Sequence, residues 1–208
     1  MAERHLHIVS FDVPAPPNYG GVIDVYHKVK ALAELGVKVY LHCFEYGRSQ
    51  AKELEAMCAS VHYYPRHTGK HQLLNALPYV VVGRRSEVLM DRLLKDDHPI
   101  LFEGLHSCYH LGDPRLHGRK RLVRAHNVEH DYYMALAKAE GNAFRRTYFN
   151  NEARKLQRFE PVLSEADHIL AISPKDEAYF AEHFEHVVHV PAFHACGAVD
   201  VAGGLGDF

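Results

Sequence analysis

Short β-rich runs alternate with segments of helical spacing along almost the whole chain, and this alternation limits the fold more than any other feature. Residues 5–11 form a β-rich run that Pro14, Pro16 and Pro17 stop. After Gly20 and Gly21, apolar side chains recur at Val22, Val25, Val29 and Leu32, the period of a helix with one buried face, and Gly36 follows where a helix commonly ends. Residues 37–44 are then β-branched and aromatic, a strand. Strand, helix and strand in so short a span predict a right-handed parallel crossover. The pattern continues with helices over 49–57 and 86–95, and with strands over 60–64, 100–103, 121–125 and 168–172. A long helical region over 128–165 is interrupted at Gly141-Asn142 and bent at Pro161. A helix over 175–183 and a strand over 187–190 come last. The expected fold is α/β, a doubly wound parallel sheet of Rossmann type with helices on both faces.

Composition excludes several classes. Acidic residues number 26 against 24 Lys and Arg, so there is no basic footprint for nucleic acid. The four cysteines, Cys43, Cys58, Cys108 and Cys196, contain no CxxC pair, which argues against a zinc knuckle, a redox motif or a disulfide framework and fits a reducing compartment. No signal segment is visible and no apolar run is long enough for a membrane span, so a soluble, cytoplasmic protein is expected. The 18 histidines are spread rather than gathered at ligand spacing and read chiefly as surface or packing residues.

Sheets of this kind bind ligands beyond the carboxyl ends of their strands, so polar residues there are the candidates. They are Asp12 after the first strand, Glu103 and His106 at the fourth, His126, Asn127 and Glu129 after the fifth, and Ser173 after the sixth. Ser173 before Pro174 reads most simply as a helix N-cap. Glu103 and His126 each place an ionisable group at the end of a mostly apolar strand. Gly20 and Gly21 open a helix whose N-terminal amides and dipole can receive a phosphate or diphosphate, although any strand-to-helix turn can call for glycine. Neither a G-x-G-x-x-G fingerprint nor a P-loop is present. His126 and His130 stand four apart, but without H-E-x-x-H or a third ligand they do not make a zinc motif.

Three stretches, taken in order, resemble the N-terminal half of a family-four glycosyltransferase in the two-Rossmann GT-B architecture. The first is Pro17-Asn18-Tyr19-Gly20-Gly21. The second joins Phe102-Glu103-Gly104-Leu105-His106 to Arg124-Ala125-His126-Asn127-Val128-Glu129. The third runs from Ala153-Arg154-Lys155-Leu156 to Ala166-Asp167-His168-Ile169-Leu170-Ala171-Ile172-Ser173-Pro174-Lys175-Asp176. Similar proteins are bacterial, mannosyltransferase-like enzymes of surface polysaccharide synthesis. The resemblance implies transfer of a hexose from a nucleotide diphosphate sugar to an acceptor hydroxyl with retention and without a metal or other cofactor. It places the donor diphosphate at Gly20 and Gly21 beside Tyr19, and His126 near the transferred sugar. Glu103 and Glu129 would orient the acceptor or His126, with His106 and Asn127 also on the substrate.

The resemblance further implies that residues 1–190 are an acceptor-side domain and that 191–208 cross into a second Rossmann domain absent from this chain, Gly206-Asp207-Phe208 beginning its first strand. On that reading the isolated chain lacks transferase activity. The partners expected are the nucleotide-sugar donor, a saccharide or lipid-linked acceptor, and the missing domain. The segment 65–82, with Arg66, His67, Lys70, Leu73, Leu74 and Leu77, is the expected acceptor-side surface and, as a second expectation, a peripheral contact with the inner face of an anionic membrane. Two other readings stand beside this one: half of a GT-B nucleotide-sugar epimerase or phosphorylase, and a Rossmann-type ligand-binding module without catalysis.

Overall fold

Seven parallel strands form one sheet in the order β3-β2-β1-β4-β5-β6-β7 in a computed structural model that describes residues 3–195. The strands are β1 (Arg4–Ser10), β2 (Val37–Glu45), β3 (Ser60–Pro65), β4 (Ile100–Glu103), β5 (Arg121–Ala125), β6 (His168–Ala171) and β7 (Val187–His189). The order reverses between β1 and β4, so the crossovers wind outward in both directions and leave a crevice at the carboxyl ends of those two strands.

The pleat sorts each strand between two cores. Ile8, Leu41 and Leu101 pack on one face with Val25 and Val29 of α1 (Gly20–Glu34) and Leu54 of α2 (Lys52–Met57). Val9, Phe102 and Val123 turn to the other face. There they meet α3 (Tyr79–Val82), α4 (Glu87–Leu93), α5 (Glu129–Ala139), α6 (Ala143–Phe159) and α7 (Pro174–Ala181) through Val81, Leu89, Tyr133, Leu156 and Phe180. Adjacent strand residues in opposite cores are what a sheet covered on both faces requires.

The expected elements are present, with differences at their ends. The first helix after β2 begins at Lys52 rather than 49, because the tight turn at Gly47 (φ 75°) and the loop that follows lie outside the helix. The long helical region divides at Gly141, and Asn142 caps the second part by accepting from the Phe144 and Arg145 amides at 3.0 and 3.2 Å. Pro161 lies in a 3-10 turn (Glu160–Glu165) that ends α6. Within the expected surface segment 65–82, Val80, Val81 and Val82 belong to the core, while Leu73 and Leu74 face outward. No helix among the described residues is long and apolar enough to cross a membrane. The expected strand at 206–208 lies outside the described residues.

Several histidines have a packing role. His7 of β1 and His42 of β2 lie side by side on the α4 face, their Nδ1 and Nε2 atoms 2.9 Å apart. His7 Nε2 lies 3.0 Å from Asp96 Oδ1, and His42 Nδ1 lies 2.7 Å from the Tyr64 hydroxyl. Neutral tautomers satisfy the whole row from Asp96 to Tyr64, with each ring donating at one nitrogen and accepting at the other. Burial holds His7 down to about 4, against the pull of Asp96, and holds His42 well below the usual histidine range, where His7 adds to the effect. The folded state therefore binds fewer protons than the unfolded chain between pH about 6.5 and about 4, so this row costs stability as pH falls through that window. A His7→Gln variant is expected to show a smaller loss of unfolding free energy between pH 7 and 4.5 than the wild type in urea titrations; equal losses would contradict this assignment.

Candidate functional site

At the carboxyl edge of β4 and β5 a buried set of charges fixes the side chains that face the crevice. Glu103, the last residue of β4, is fully buried. Its Oε2 accepts from Lys28 Nζ at 3.0 Å and lies 3.0 Å from His126 Nε2. Lys28 also donates to Asp24 Oδ2, one turn earlier in α1, at 2.8 Å. Arg124 of β5 grips Asp24 with Nε and Nη2 at 3.1 and 2.9 Å. None of these four charged side chains is more than 5% exposed. Burial alone would raise both carboxyls. Lys28 overcomes it at each, helped by Arg124 on Asp24 and by His126 on Glu103, so both stay ionised below the usual carboxylate range.

The same network fastens the chain where it leaves β7. Arg124 donates to the carbonyls of Val190 and Pro191, and the Phe193 amide donates to Asp24 Oδ1 at 2.8 Å. The Phe193 ring lies 5.7 Å from Lys28 Nζ and 6.0 Å from the Arg124 guanidinium.

Ligand-type atoms of Asp24, Glu103 and His126 come within 4.8 Å of one another, a spacing that can hold a metal ion. Lys28 Nζ already sits 2.8 Å from Asp24 and 2.9 Å from Glu103. A divalent ion would have to displace this ammonium, so the two carboxylates are better described as the counter-charge of Lys28.

His126 is held by Glu103 through Nε2, and its Nδ1 is buried with no hydrogen-bond partner. A Cβ on Gly21 would come within 3.7 Å of that nitrogen and 2.7 Å from the Phe11 ring, so only glycine lets the start of α1 approach so closely. Tyr19 precedes α1 in extended conformation without a side-chain cap, and the first helical bond runs from the Ile23 amide to the Tyr19 carbonyl at 3.0 Å. The amides of Gly20, Gly21 and Val22 therefore lack intrahelical acceptors, and the helix dipole adds partial positive charge where Gly20 is open to solvent. The loop before α1 is braced. Asp12 accepts from the Val13 amide at 2.8 Å and the Tyr19 hydroxyl at 3.2 Å, while Arg48 donates to Val13, Asn18 and Pro16 and lies over the Tyr19 ring. Asp12 thus supports the loop rather than the crevice.

Beyond Gly104, whose φ of 69° would strain any side chain and where a Cβ would come 3.1 Å from His106 Nδ1, His106 Nε2 lies 3.5 Å from Glu129 Oε2. Glu129 is buried and its Oε1 has no partner. Burial pushes its carboxyl up to about 7, against Asn127 and Arg84, which favour the ionised form. Burial, with Arg84 and His126 nearby, holds His106 well below the usual histidine range and hence neutral.

Of the residues expected from sequence, the structure gathers Glu103, His126, Gly20, Gly21, His106 and Glu129. Asn127 is exposed beside Glu129, and Tyr19 is tied to Asp12. Ser173 is an N-cap, accepting from the Asp176 amide at 3.1 Å. His130 points away from His126 to Glu160, 3.3 Å from its Nδ1. Sequence reasoning missed Asp24, Lys28, Arg124 and Arg84. The available signals were a charged pair four apart flanking the apolar stripe of α1 and an arginine between Val123 and Ala125 near the carboxyl end of β5.

A curated relative, described as an uncharacterized 44.6 kDa protein in the cps region of Klebsiella pneumoniae, is 31% identical over 179 residues, covering 82% of this chain and 45% of that protein. The chain thus spans less than half of that relative's length. Among solved structures, a UDP-glucosyltransferase from Polygonum tinctorium matches with a TM-score of 0.57 at 11% identity, over 95% of this chain and 54% of the other. UGT89C1 of Arabidopsis thaliana, complexed with UDP-L-rhamnose, matches with a TM-score of 0.53 at 14% identity, over 92% and 49%. At such identities the likeness is one of fold: this chain has the Rossmann-like α/β fold of one half of a GT-B glycosyltransferase. No protein-family model matches it.

Replacing Lys28 by Met leaves two buried carboxylates facing each other and is expected to cost about 3–5 kcal/mol in urea unfolding. Lys28→Met combined with Glu103→Gln is expected to be less destabilised than the sum of the two single variants. Strict additivity would show that the network is not coupled.

Proposed function

We propose that this chain is the acceptor-side half of a retaining, family-four glycosyltransferase. It would move a hexose, with mannose the first candidate, from a nucleotide diphosphate sugar to an acceptor hydroxyl without a metal. The observation that carries the reading is His126: Glu103 fixes one ring nitrogen, and the other, buried and unpartnered, lies beside Gly21 at the start of α1. The donor diphosphate would occupy the positive end of α1 at Gly20 and Gly21 beside Tyr19.

When neutral, His126 donates through Nε2 to Glu103 and keeps an Nδ1 lone pair to accept from a sugar hydroxyl. The anionic Glu103 behind it favours the positive charge that develops on the sugar ring as the bond from the anomeric carbon to the phosphate oxygen breaks. That bond's electron pair leaves with the phosphate. The acceptor oxygen attacks the same face, and its proton passes to the departing phosphate oxygen, so no protein base is required. Glu129, its carboxyl raised to about 7, and the neutral His106, with Asn127 at the rim, would orient the acceptor.

The relative from a cps region supports a surface polysaccharide or its lipid-linked precursor as the acceptor to try first, and with such an acceptor the reaction would lie at the cytoplasmic face of the membrane. The likeness to a UDP-glucosyltransferase and to a complex with UDP-L-rhamnose supports a nucleotide-sugar donor. Because the chain matches about half of those proteins, a second Rossmann domain would supply the nucleotide pocket and complete the site. Expressed with its complete reading frame and offered a panel of nucleotide sugars, the protein is expected to turn over a donor, and His126→Ala to reduce that turnover about 100-fold or more with unchanged thermal unfolding. Wild-type turnover in the variant would refute the role of His126, and turnover by residues 1–208 alone would refute the need for a second domain.

A further inference from the structure

Beside the His106–Glu129 pair lies a concentration of charge that the reading above leaves unused. Arg84, just after α3, is only 4% exposed. Its Nε donates to the Phe11 carbonyl at 2.8 Å and its Nη1 to the Val80 carbonyl, so its direct partners are dipoles that leave its charge uncancelled. The nearby Asp12 carboxylate is occupied by the Val13 amide and the Tyr19 hydroxyl. Arg66, just after β3, has a buried Nε without a hydrogen-bond partner. A Cβ on Gly83, the residue before Arg84, would lie 3.6 Å from that Nε, so both arginines sit at the end of α3.

The Arg66 guanidinium lies 4.0 Å over the ring of the half-exposed Tyr46 and 5.7 Å over that of Tyr79, whose hydroxyl is fixed to the Thr68 carbonyl. The two cations act on each other: burial, then the like charge of Arg66, pulls Arg84 down to about 9. Both also act on His106. Two guanidinium groups at one end of α3, neither in an ion pair with a carboxylate among the described residues and one of them stacked on tyrosine rings, have the donors for a planar or tetrahedral oxyanion carried on a sugar ring.

We infer that Arg66 and Arg84 form a subsite for an anionic saccharide, a hexuronate or a sugar phosphate, with its charged group between the guanidinium groups and its ring against Tyr46 and Tyr79. This deepens the transfer reading and rests on it for the ligand's role, since the subsite adjoins the unpartnered Glu129 Oε1 where the acceptor would lie. It assigns the acceptor to the acidic sugars.

The test is binding to the chain itself, followed by NMR at constant ionic strength with four probes: glucuronate, glucose 6-phosphate, glucose and UDP. Saturable binding of at least one anionic sugar is expected, with glucose at least about tenfold weaker and with roughly tenfold weakening in Arg66→Gln. Arg66→Lys, which keeps the charge but loses the fork, should fall between. Whichever of glucuronate and glucose 6-phosphate binds more tightly identifies the anion as carboxylate or phosphate. Equal binding of glucose, undiminished binding in Arg66→Gln, competition by UDP, or no binding of either anion would each overturn the subsite. Because Arg84 also holds the Phe11 loop, Arg66 carries the test. Failure here with donor turnover intact would sink the subsite alone, whereas anion binding without donor turnover would sink the transfer reading alone.

Discussion

Everything at the crevice depends on four buried charges that compensate one another. Asp24, Lys28, Glu103 and Arg124 come from α1, β4 and β5, and none could be buried alone without a penalty of several kcal/mol. Paired, they join the first helix to the middle of the sheet and set the distance between the start of α1 and the end of β5. His126 inherits its orientation from this arrangement, because the acceptor of its Nε2 proton is itself held by Lys28. The outgoing chain at Val190–Phe193 is tied to the same groups, so the exit from the domain and the histidine at its edge share one support.

Around that support the ionisable groups fall into two kinds. Glu103 and Asp24 are kept charged by cations in contact with them, whereas Glu129, buried without such contact, is pushed up to about 7. Three carboxyls near one crevice are thereby given different protonation behaviour by their surroundings, Glu103 and Asp24 serving as fixed negative charges and Glu129 able to donate or accept a hydrogen bond. The proposed transfer would need a second surface to complete the site, and the chain matches only part of the longer relative and of the solved structures.

Much of the fold was legible because it rests on periodicity. β4 and β5 fall on the residues expected, β4 as an apolar run that ends at Glu103 and β5 as the apolar pair Leu122 and Val123 set between two arginines. The candidates Glu103 and His126 were legible for a related reason: an ionisable group directly after such a run must sit at the sheet's carboxyl edge. The network beneath them was not legible. Asp24 and Lys28 look like an ordinary solvated pair on an amphipathic helix, and only the tertiary fold shows that Glu103 and Arg124 face them from the sheet. Arg66 stood within the expected surface segment 65–82, but Arg84 lay just beyond it, and without periodicity there the sequence offers no register to bring the two together. The histidine row from His7 to His42 also escaped detail, because β1 and β2 had to be placed in register before those rings could be seen as neighbours.

The central claim is that the buried charges hold His126 with Nε2 on Glu103 and Nδ1 free for the sugar. Nitrogen-15 NMR of the His126 ring, in the protein expressed with its complete reading frame and with a nucleotide sugar it turns over, tests this directly. The account predicts a protonated Nε2 that is unchanged by the donor and an Nδ1 resonance that moves as donor saturates; an Nδ1 that stays fixed at saturation, or a proton found on Nδ1 in place of Nε2, would contradict it.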